Sequence, residues 1–284
     1  MSISINNSIQ KYIINLHERH ERLYHTIEQL RKVNLDDMIT IVRAVSPEQA
    51  QYCQFDYLAK RGYQNIKNPQ STLLLPNYKA LACNISHQKC WKHMVQHDIE
   101  EAFIIEDDLE IKNPHFFRFE LEQIKEIIQE CHNRPIYIIF SGKYIENKND
   151  DNNYYYYLQS NQNENVNDVL SQFGSYPEIK HFPYIDYSVI GCGYYYLNLK
   201  MATFLLQKLK HISYQLDVEI SNLAKIYTGN LFLNVESSSI SQSNKFTSDI
   251  QFYQISQYEI SHLFNLNVDI SQQIWNYLPD FVRN

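Results

Sequence analysis

Glycine is scarce in this chain, with 6 residues among 284. Neither a GxGxxG nor a GxxxxGK[ST] pattern occurs, and these are the glycine-rich loops that bind phosphate through backbone N–H groups in nucleotide-binding folds. A phosphate-binding site in this protein must therefore use side chains or a bridging cation.

Cysteine pairs and basic clusters are missing as well. The 5 cysteines are widely spaced and include no CxxC pair, so neither a zinc knuckle nor a disulfide framework is indicated. The net charge is -7 and no Lys/Arg-rich run offsets it, which argues against nucleic acid as a partner. An acidic protein still binds a nucleotide diphosphate when a divalent cation bridges the two.

Long hydrophobic runs are the third absence. No segment approaches the roughly 20 apolar residues that cross a bilayer, so no transmembrane segment is expected. Residues 1–15 lack the charged and apolar regions of a signal peptide. With cysteines that suit a reducing compartment, these features predict a cytoplasmic or membrane-peripheral protein, and they leave its oligomeric state open.

Strand-like and helix-like segments alternate along the chain, which predicts an α/β fold with a mostly parallel central sheet. Apolar runs typical of strands lie at residues 12–16, 38–42, 102–105, 136–140, 187–191 and 226–235. Helical spacing of apolar residues occurs at 17–32, 81–97, 116–131 and 199–210. Residues 46–78, which contain three prolines, are expected to be loop-like.

The whole chain, 1–284, is predicted to form a single domain. Residues 144–181 are rich in Asn, Asp, Tyr and Gln without periodicity, so we expect an irregular surface insertion there. Residues 253–284 follow the recognisable pattern as a C-terminal extension.

Three acids, Glu106, Asp107 and Asp108, follow directly after the apolar run at 102–105. Ligands of open α/β sheets bind at the carboxyl ends of the strands, and carboxylates are the hard ligands that Mg²⁺ and Mn²⁺ prefer. Because alternate strand residues share a face, Glu106 and Asp108 could serve one metal site. The alternative is that these acids cap the next helix or lie in solvent.

The triplet occurs together with other motifs, and the combination resembles glycosyltransferase family 25, the lipopolysaccharide and collagen β-galactosyltransferases. The matching segments are Ile14-Asn15-Leu16 with Arg19 and Arg22 beyond it, Ser86-His87 with Trp91, and Glu106-Asp107-Asp108. Looser similarity continues at Gly191 to Leu206, Gln215-Leu216-Asp217, Ser241-Gln242 and Thr247-Ser248-Asp249-Ile250. The resemblance covers about residues 10–252.

The resemblance implies a GT-A fold, which is a Rossmann-like nucleotide-binding sandwich, and a metal-dependent inverting hexosyltransferase. Its donor would be a UDP-sugar carrying galactose or glucose, and its acceptor a hydroxyl of a glycan, a lipid or hydroxylysine. Mn²⁺ or Mg²⁺ would be held by Asp108 and Glu106, with Glu106 or Asp107 contacting the ribose or a metal-bound water. The alternatives are a catalytically silent protein that binds a nucleotide sugar or glycan, and a metal-dependent phosphohydrolase.

The resemblance also assigns roles near the donor. Arg19 and Arg22 would pair with phosphate or shape the nucleotide pocket, or else form an ordinary polar helix face. Asn15 would contact the base or cap a helix, and Ser86 and His87 would line the donor site or be structural.

The remaining assignments concern the acceptor side and the closing segment. Asp217 is the candidate catalytic base and Glu219 the second choice, although Asp217 also suits a helix N-cap. Gln242 and Asp249 would lie near the diphosphate or the metal.

Overall fold

The computed structural model describes residues 9–67, 77–140, 143–145, 181–183, 188–227, 229–235, 239–243 and 245. Its strands are β1 (Gln10–Asn15), β2 (Ile39–Arg43), β3 (Glu101–Glu106), β4 (Leu109–Ile111), β5 (Ile136–Phe140), β6 (Lys143–Ile145), β7 (His181–Pro183), β8 (Ser188–Ile190), β9 (Tyr194–Asn198), β10 (Leu231–Val235) and β11 (Ile240–Gln242). Its helices are α1 (His20–Arg31), α2 (Pro47–Tyr52), α3 (Gln54–Tyr57), α4 (Lys60–Lys67), α5 (Tyr78–Gln96), α6 (Pro114–Cys131), α7 (Leu199–Lys208) and α8 (Leu216–Ile226).

Within these residues the central sheet has seven strands in the order β2-β1-β3-β9-β5-β10-β7. The pairs β1–β2, β1–β3 and β5–β10 are parallel, whereas β9 is antiparallel to both of its neighbours and β7 is antiparallel to β10. Five strands therefore run in one direction, and the carboxyl ends of β1, β3, β5 and β10 lie at the same edge. The prediction of a mostly parallel α/β sheet is confirmed.

Helices cover both faces of the sheet because alternate strand residues point to opposite sides. On β3, Phe103 and Ile105 pack with residues of α1 and α6. Ala102 and Ile104 pack on the other side with residues of α5, α7 and α8. The described residues thus form a three-layer α/β/α sandwich, as expected for a Rossmann-like fold.

Residues 46–78 were expected to be loop-like, and for residues 46–67 this was wrong. They form α2, α3 and α4, and Ala50 and Leu58 are buried in a third apolar cluster with residues of α5. Ser46 starts α2 with a capping box, in which its side chain and that of Gln49 each accept the other's backbone N–H. Pro47 occupies the first turn, where a proline costs no hydrogen bond, so it begins a helix here instead of breaking one.

One other expectation differs from the structure, and two further ones are not tested by it. The strand predicted at 226–235 is only β10, because α8 continues to Ile226. The predicted insertion at 144–181 and the C-terminal extension at 253–284 lie almost wholly outside the described residues. Among the helices that are described, none combines the length and the apolar character needed to cross a bilayer.

Candidate active site

The acidic triplet lies at the carboxyl end of β3, with Glu106 as the last strand residue and Asp107 and Asp108 in the turn before β4. Because side chains alternate between the two faces of a strand, Glu106 lies on the α5 side of the sheet, together with residues 102 and 104. Asp107 and Asp108 are buried, whereas the side chain of Glu106 keeps 18% of its surface exposed. The triplet is therefore part of a partly enclosed site.

Glu106 contacts helix α5. Its Oε1 lies 3.2 Å from Nε2 of His87 and accepts a hydrogen bond from the Cys83 thiol at 3.7 Å. Its backbone N–H donates to the carbonyl of Gly193 at 2.7 Å. A Cβ atom on Gly193 would lie 3.6 Å from Oε2, so this glycine leaves room beside the second carboxylate oxygen. Glu106 thus has one oxygen fixed by α5 and one that faces a small residue.

A chain of buried hydrogen bonds orients His87. The indole Nε1 of Trp91 donates to the Tyr195 hydroxyl at 3.0 Å, and that hydroxyl lies 2.9 Å from Nδ1 of His87. Indole N–H is a donor only, so the arrangement that satisfies every group has Tyr195 donating to Nδ1. His87 then carries its proton on Nε2 and donates it to Glu106. The network sets the direction of the Glu106 carboxylate.

Asp107 is held from the opposite side of the sheet. Its Oδ2 accepts from the Asn15 amide at 2.7 Å and its Oδ1 pairs with Arg22 at 3.2 Å. The same Asn15 amide donates to the backbone carbonyl of Arg19 at 3.0 Å. Burial raises the pKa of Asp107, while Arg22 and Asn15 oppose that rise. These contacts connect the end of β1 and the start of α1 to the acidic turn.

Asp108 is a buried carboxylate whose pKa is strongly raised. It is 4% exposed and accepts a hydrogen bond from the Tyr194 hydroxyl at 2.8 Å. Burial, followed by the negative charge of Glu106, raises its pKa to about 7 even though Tyr194 stabilises the ionised form. Two neighbouring carboxylates that repel one another form a hard-oxygen donor set that fits Mg²⁺ or Mn²⁺.

Asp217 is brought close to the triplet by the first turn of α8. Its Oδ2 accepts from the N–H of Gly191 at 3.1 Å and its Oδ1 from the N–H of Val218 at 2.8 Å. Burial raises the pKa of Asp217, and the charge of Glu106 adds to the rise, so the two carboxylates interact. Gly191 has a φ of 98°, a conformation that favours glycine, and this turn points its N–H at Asp217.

Glu219 is engaged differently. Its Oε1 accepts from the backbone N–H groups of Ser213 and Tyr214, at 2.8 and 2.9 Å. Burial raises the pKa of its carboxyl, and these two hydrogen bonds oppose the rise. The side chain thereby stabilises the segment that precedes α8, which is a structural task.

Ser86 connects helix α5 to the segment after β2. Its Oγ accepts from the N–H of Val45 at 2.8 Å and donates to the carbonyl of Ala82 at 2.7 Å. Both hydrogen-bonding functions of this buried hydroxyl are thus used within the protein. Ser86 and His87 are neighbours in sequence, but only His87 contacts the triplet.

The closing segment lies against the acidic turn. Gln242 is in register with Leu109 in the antiparallel pair of β11 and β4, and the N–H of Ser243 donates to the Asp108 carbonyl at 2.7 Å. Gln242 itself is exposed. Asp249 lies outside the described residues.

A family model described as glycosyltransferase family 25 (LPS biosynthesis protein) matches residues 8–220, three-quarters of the chain. The chain belongs to glycosyltransferase family 25. The resemblance seen in the sequence is thus confirmed over the acidic triplet, α5 and the start of α8. Membership of the family implies glycosyltransferase activity, with a nucleotide sugar as donor and an acceptor substrate. A comparison with curated proteins gave no match.

Sequence reasoning about this family 25 glycosyltransferase missed three residues of the site: Cys83, Tyr194 and Tyr195. Cys83 carried a usable signal, because it lies four positions before His87 and hence on the same face of a helix. Tyr194 and Tyr195 had none, since they reach the site only through the pairing of β9 with β3. Such long-range pairing leaves no local pattern in the sequence.

Proposed function

We propose that this chain is a metal-dependent inverting glycosyltransferase that transfers galactose or glucose from a UDP-sugar to a hydroxyl of a glycan, lipid or hydroxylysine. The observation that supports this most is that the charge of Glu106, at the carboxyl end of β3, acts on both Asp108 and Asp217. The carboxyl edge is where open α/β sheets bind ligands. The three-layer sandwich is compatible with a GT-A fold, and we propose that fold for this chain.

Asp108 and Glu106 are the residues that would hold Mn²⁺ or Mg²⁺. The raised pKa of Asp108 reflects buried, repelling carboxylates, and a cation between them would remove that repulsion. Glu106 would use Oε2, since Oε1 is occupied by His87 and Cys83. When bound, the ion supplies charge stabilisation for the diphosphate that leaves the sugar.

Asp217 is the proposed general base. A base must accept the proton of the acceptor hydroxyl while that oxygen bonds to the anomeric carbon and the bond from this carbon to the diphosphate breaks. The proton ends on Asp217, and UDP leaves with the bonding electrons. The raised pKa of Asp217 suits proton acceptance better than that of a fully solvated acid. Asp217 and Glu219 each accept two backbone hydrogen bonds, so the preference for Asp217 rests on its interaction with Glu106 of the acidic turn, whereas Glu219 interacts with Arg61.

The residues around Asp107 receive a positioning role in this proposal. Asn15 and Arg22 hold both oxygens of Asp107 and so fix the turn that presents Asp108. This pairing favours Glu106 over Asp107 as the carboxylate that contacts the ribose or a metal-bound water. Arg19 would lie at the donor side, as the start of α1 is joined to Asp107 through Asn15.

The first test is release of UDP from UDP-galactose and UDP-glucose, with and without Mn²⁺. We expect slow release that requires the ion, and we expect Asp108→Asn to lower it by at least about 100-fold, or about 2.7 kcal/mol. Asp98→Asn is the matched control, because Asp98 lies at an exposed position after α5. Stabilisation by a UDP-sugar without any turnover would instead indicate a silent nucleotide-sugar-binding protein.

The second test separates the two candidate bases. Asp217→Asn should lower kcat, because the base acts on the acceptor hydroxyl. A UDP-sugar should still raise the melting temperature of this variant, because the base does not act on the donor. Glu219→Gln should mainly lower the free energy of unfolding, because it weakens two hydrogen bonds to the loop before α8. A normal kcat in Asp217→Asn would rule out Asp217 as the base.

A further inference from the structure

Three donor atoms of different elements converge beside the acidic turn: Sγ of Cys83, Nε2 of His87 and a carboxylate oxygen of Glu106. All three lie within 4.8 Å of one another. Mg²⁺ and Mn²⁺ favour oxygen ligands, whereas a sulfur, nitrogen and oxygen set is typical of Zn²⁺. The set is therefore distinct in chemistry from the Glu106 and Asp108 pair.

The two separations that involve Glu106 agree with tetrahedral coordination of zinc. With bonds of about 2.3 Å to sulfur and about 2.0–2.1 Å to nitrogen and oxygen, tetrahedral angles place sulfur about 3.5 Å from oxygen, and nitrogen about 3.3 Å from oxygen. The observed separations are 3.7 Å between Cys83 Sγ and Glu106 Oε1, and 3.2 Å between His87 Nε2 and the same oxygen. Movements of about 0.2 Å would bring both into agreement.

The three side chains are held by rigid elements. Cys83 and His87 lie one turn apart on one face of α5, and Glu106 ends a central strand. His87 is fully buried, and its Nδ1 contacts the Tyr195 hydroxyl, which Trp91 holds in turn. An outer partner of this kind orients the histidine of a metal site. Cys83 and Glu106 are only partly buried, and the side chain of Glu106 keeps 18% of its surface exposed.

We propose that Cys83, His87 and Glu106 form a binding site for Zn²⁺, with a fourth position for water. Binding releases the Cys83 thiol proton to solvent and forms bonds from the ion to the sulfur, nitrogen and oxygen atoms. One thiolate and one carboxylate balance the two positive charges, so the occupied site is neutral. The proton of His87 moves from Nε2 to Nδ1, which then donates a hydrogen bond to the Tyr195 oxygen, while the Tyr195 O–H turns away from His87.

Zn²⁺ bound at Cys83, His87 and Glu106 affects catalysis, and this inference rests on the proposed function. Glu106 would be shared between Zn²⁺ on the α5 side and the ion held with Asp108. With Oε1 on Zn²⁺ and Oε2 toward the second ion, the positive charge of Zn²⁺ repels that ion, weakens its binding and so inhibits transfer. The site makes this glycosyltransferase sensitive to a thiophilic metal.

Direct metal binding is tested with Co²⁺ on the full, metal-free chain. Co²⁺ is used because Zn²⁺ is d¹⁰ and its binding gives no absorption band to follow. We expect one thiolate-bound Co²⁺ per chain, a thiolate-to-cobalt charge-transfer band in the near ultraviolet, and loss of that band when Zn²⁺ is added. Cys83→Ser should abolish the band and weaken Zn²⁺ binding by at least about 100-fold. Cys53→Ser is the matched control, because Cys53 is a half-buried cysteine outside the site, and it should keep the band.

Absence of the band in the unmodified chain, or its survival in Cys83→Ser, would overturn the proposal. If Cys83→Ser does not fold, nitrogen NMR of labelled histidine in the unmodified chain decides instead. Zn²⁺ must move the His87 proton from Nε2 to Nδ1, and an unchanged tautomer contradicts the site.

Inhibition is measured separately as UDP release at fixed Mn²⁺ with increasing Zn²⁺, relative to each variant's own activity without Zn²⁺. Cys83→Ser should need at least about tenfold more Zn²⁺ for half-inhibition. Equal sensitivity of the unmodified chain and Cys83→Ser to Zn²⁺ would refute the proposed inhibition through this site. If no UDP is released under any condition, the proposed function fails, whereas the Co²⁺ band still decides the metal site.

Discussion

Asp108→Asn should stabilise the metal-free protein while it removes activity. Burial and the charge of Glu106 raise the pKa of Asp108 from its ordinary 3.8 to about 7. The native state therefore binds this proton more tightly than the unfolded chain, and stability is lost as the pH rises from 3.8 to about 7. Above that window the cost is at most about 4 kcal/mol. Asparagine cannot ionise, yet its Oδ1 can still accept the hydrogen bond of Tyr194.

The assay is urea unfolding in the presence of a chelator, across a series of buffers from about pH 5 to about pH 8. The free energy of unfolding of the variant should exceed that of the unmodified protein by about 1–2 kcal/mol at the acid end and by up to about 4 kcal/mol at the alkaline end. Asp98→Asn is again the control, since that position is exposed and has a positive φ that asparagine tolerates. Its difference from the unmodified protein should not grow with pH.

The test is whether the difference in free energy of unfolding between Asp108→Asn and the unmodified protein increases with pH. A difference that stays constant, or a loss of stability that grows with pH, would refute the account in which burial and Glu106 destabilise the ionised Asp108. Mn²⁺ supplies an independent check, because it should stabilise the unmodified protein and have little effect on Asp108→Asn. Together the two results would show a site that sacrifices stability for metal binding.

Two further changes test the surroundings of the site. Tyr195→Phe leaves the Trp91 N–H and the His87 Nδ1 without their shared buried partner, so urea unfolding should show a loss of about 2–4 kcal/mol; a loss below about 1 kcal/mol would contradict the network. Ser46→Ala removes the side chain that caps α2 through Gln49, and the same assay should show a loss of about 1 kcal/mol, whereas Ser46→Asp should retain the cap and most of the stability.

The family and the order of elements were readable because both are local properties. Apolar runs and helical spacing predicted β1, α1 and β2, and the run at 102–105 predicted β3 with its acidic end. The motifs around Asn15, Ser86-His87 and Glu106 gave the family resemblance that the family comparison confirms. The capping box at Ser46 was also local, and it was missed because the prolines in that region were interpreted as loop signals.

The partners of the acids were not readable in the same way. Asp107 pairs with Arg22 and Asn15, which precede it by 85 and 92 positions, and Asp108 is held by Tyr194, 86 positions later. The sequence left Arg22 open between a donor-site role and an ordinary polar helix face, and its pairing with Asp107 arises only when α1 packs beside β1 and β4. Spacings of this length carry no periodic signal.

The sequence by itself determined that three carboxylates follow a buried strand, because strand and turn propensities depend on neighbouring residues. Tertiary structure decided what each carboxylate does. The pleat of β3 directs Glu106 toward α5, and insertion of the antiparallel β9 between β3 and β5 brings Gly193, Tyr194 and Tyr195 to the site. Burial among these residues is what perturbs the pKa of Asp108, and burial is a property of the assembled fold.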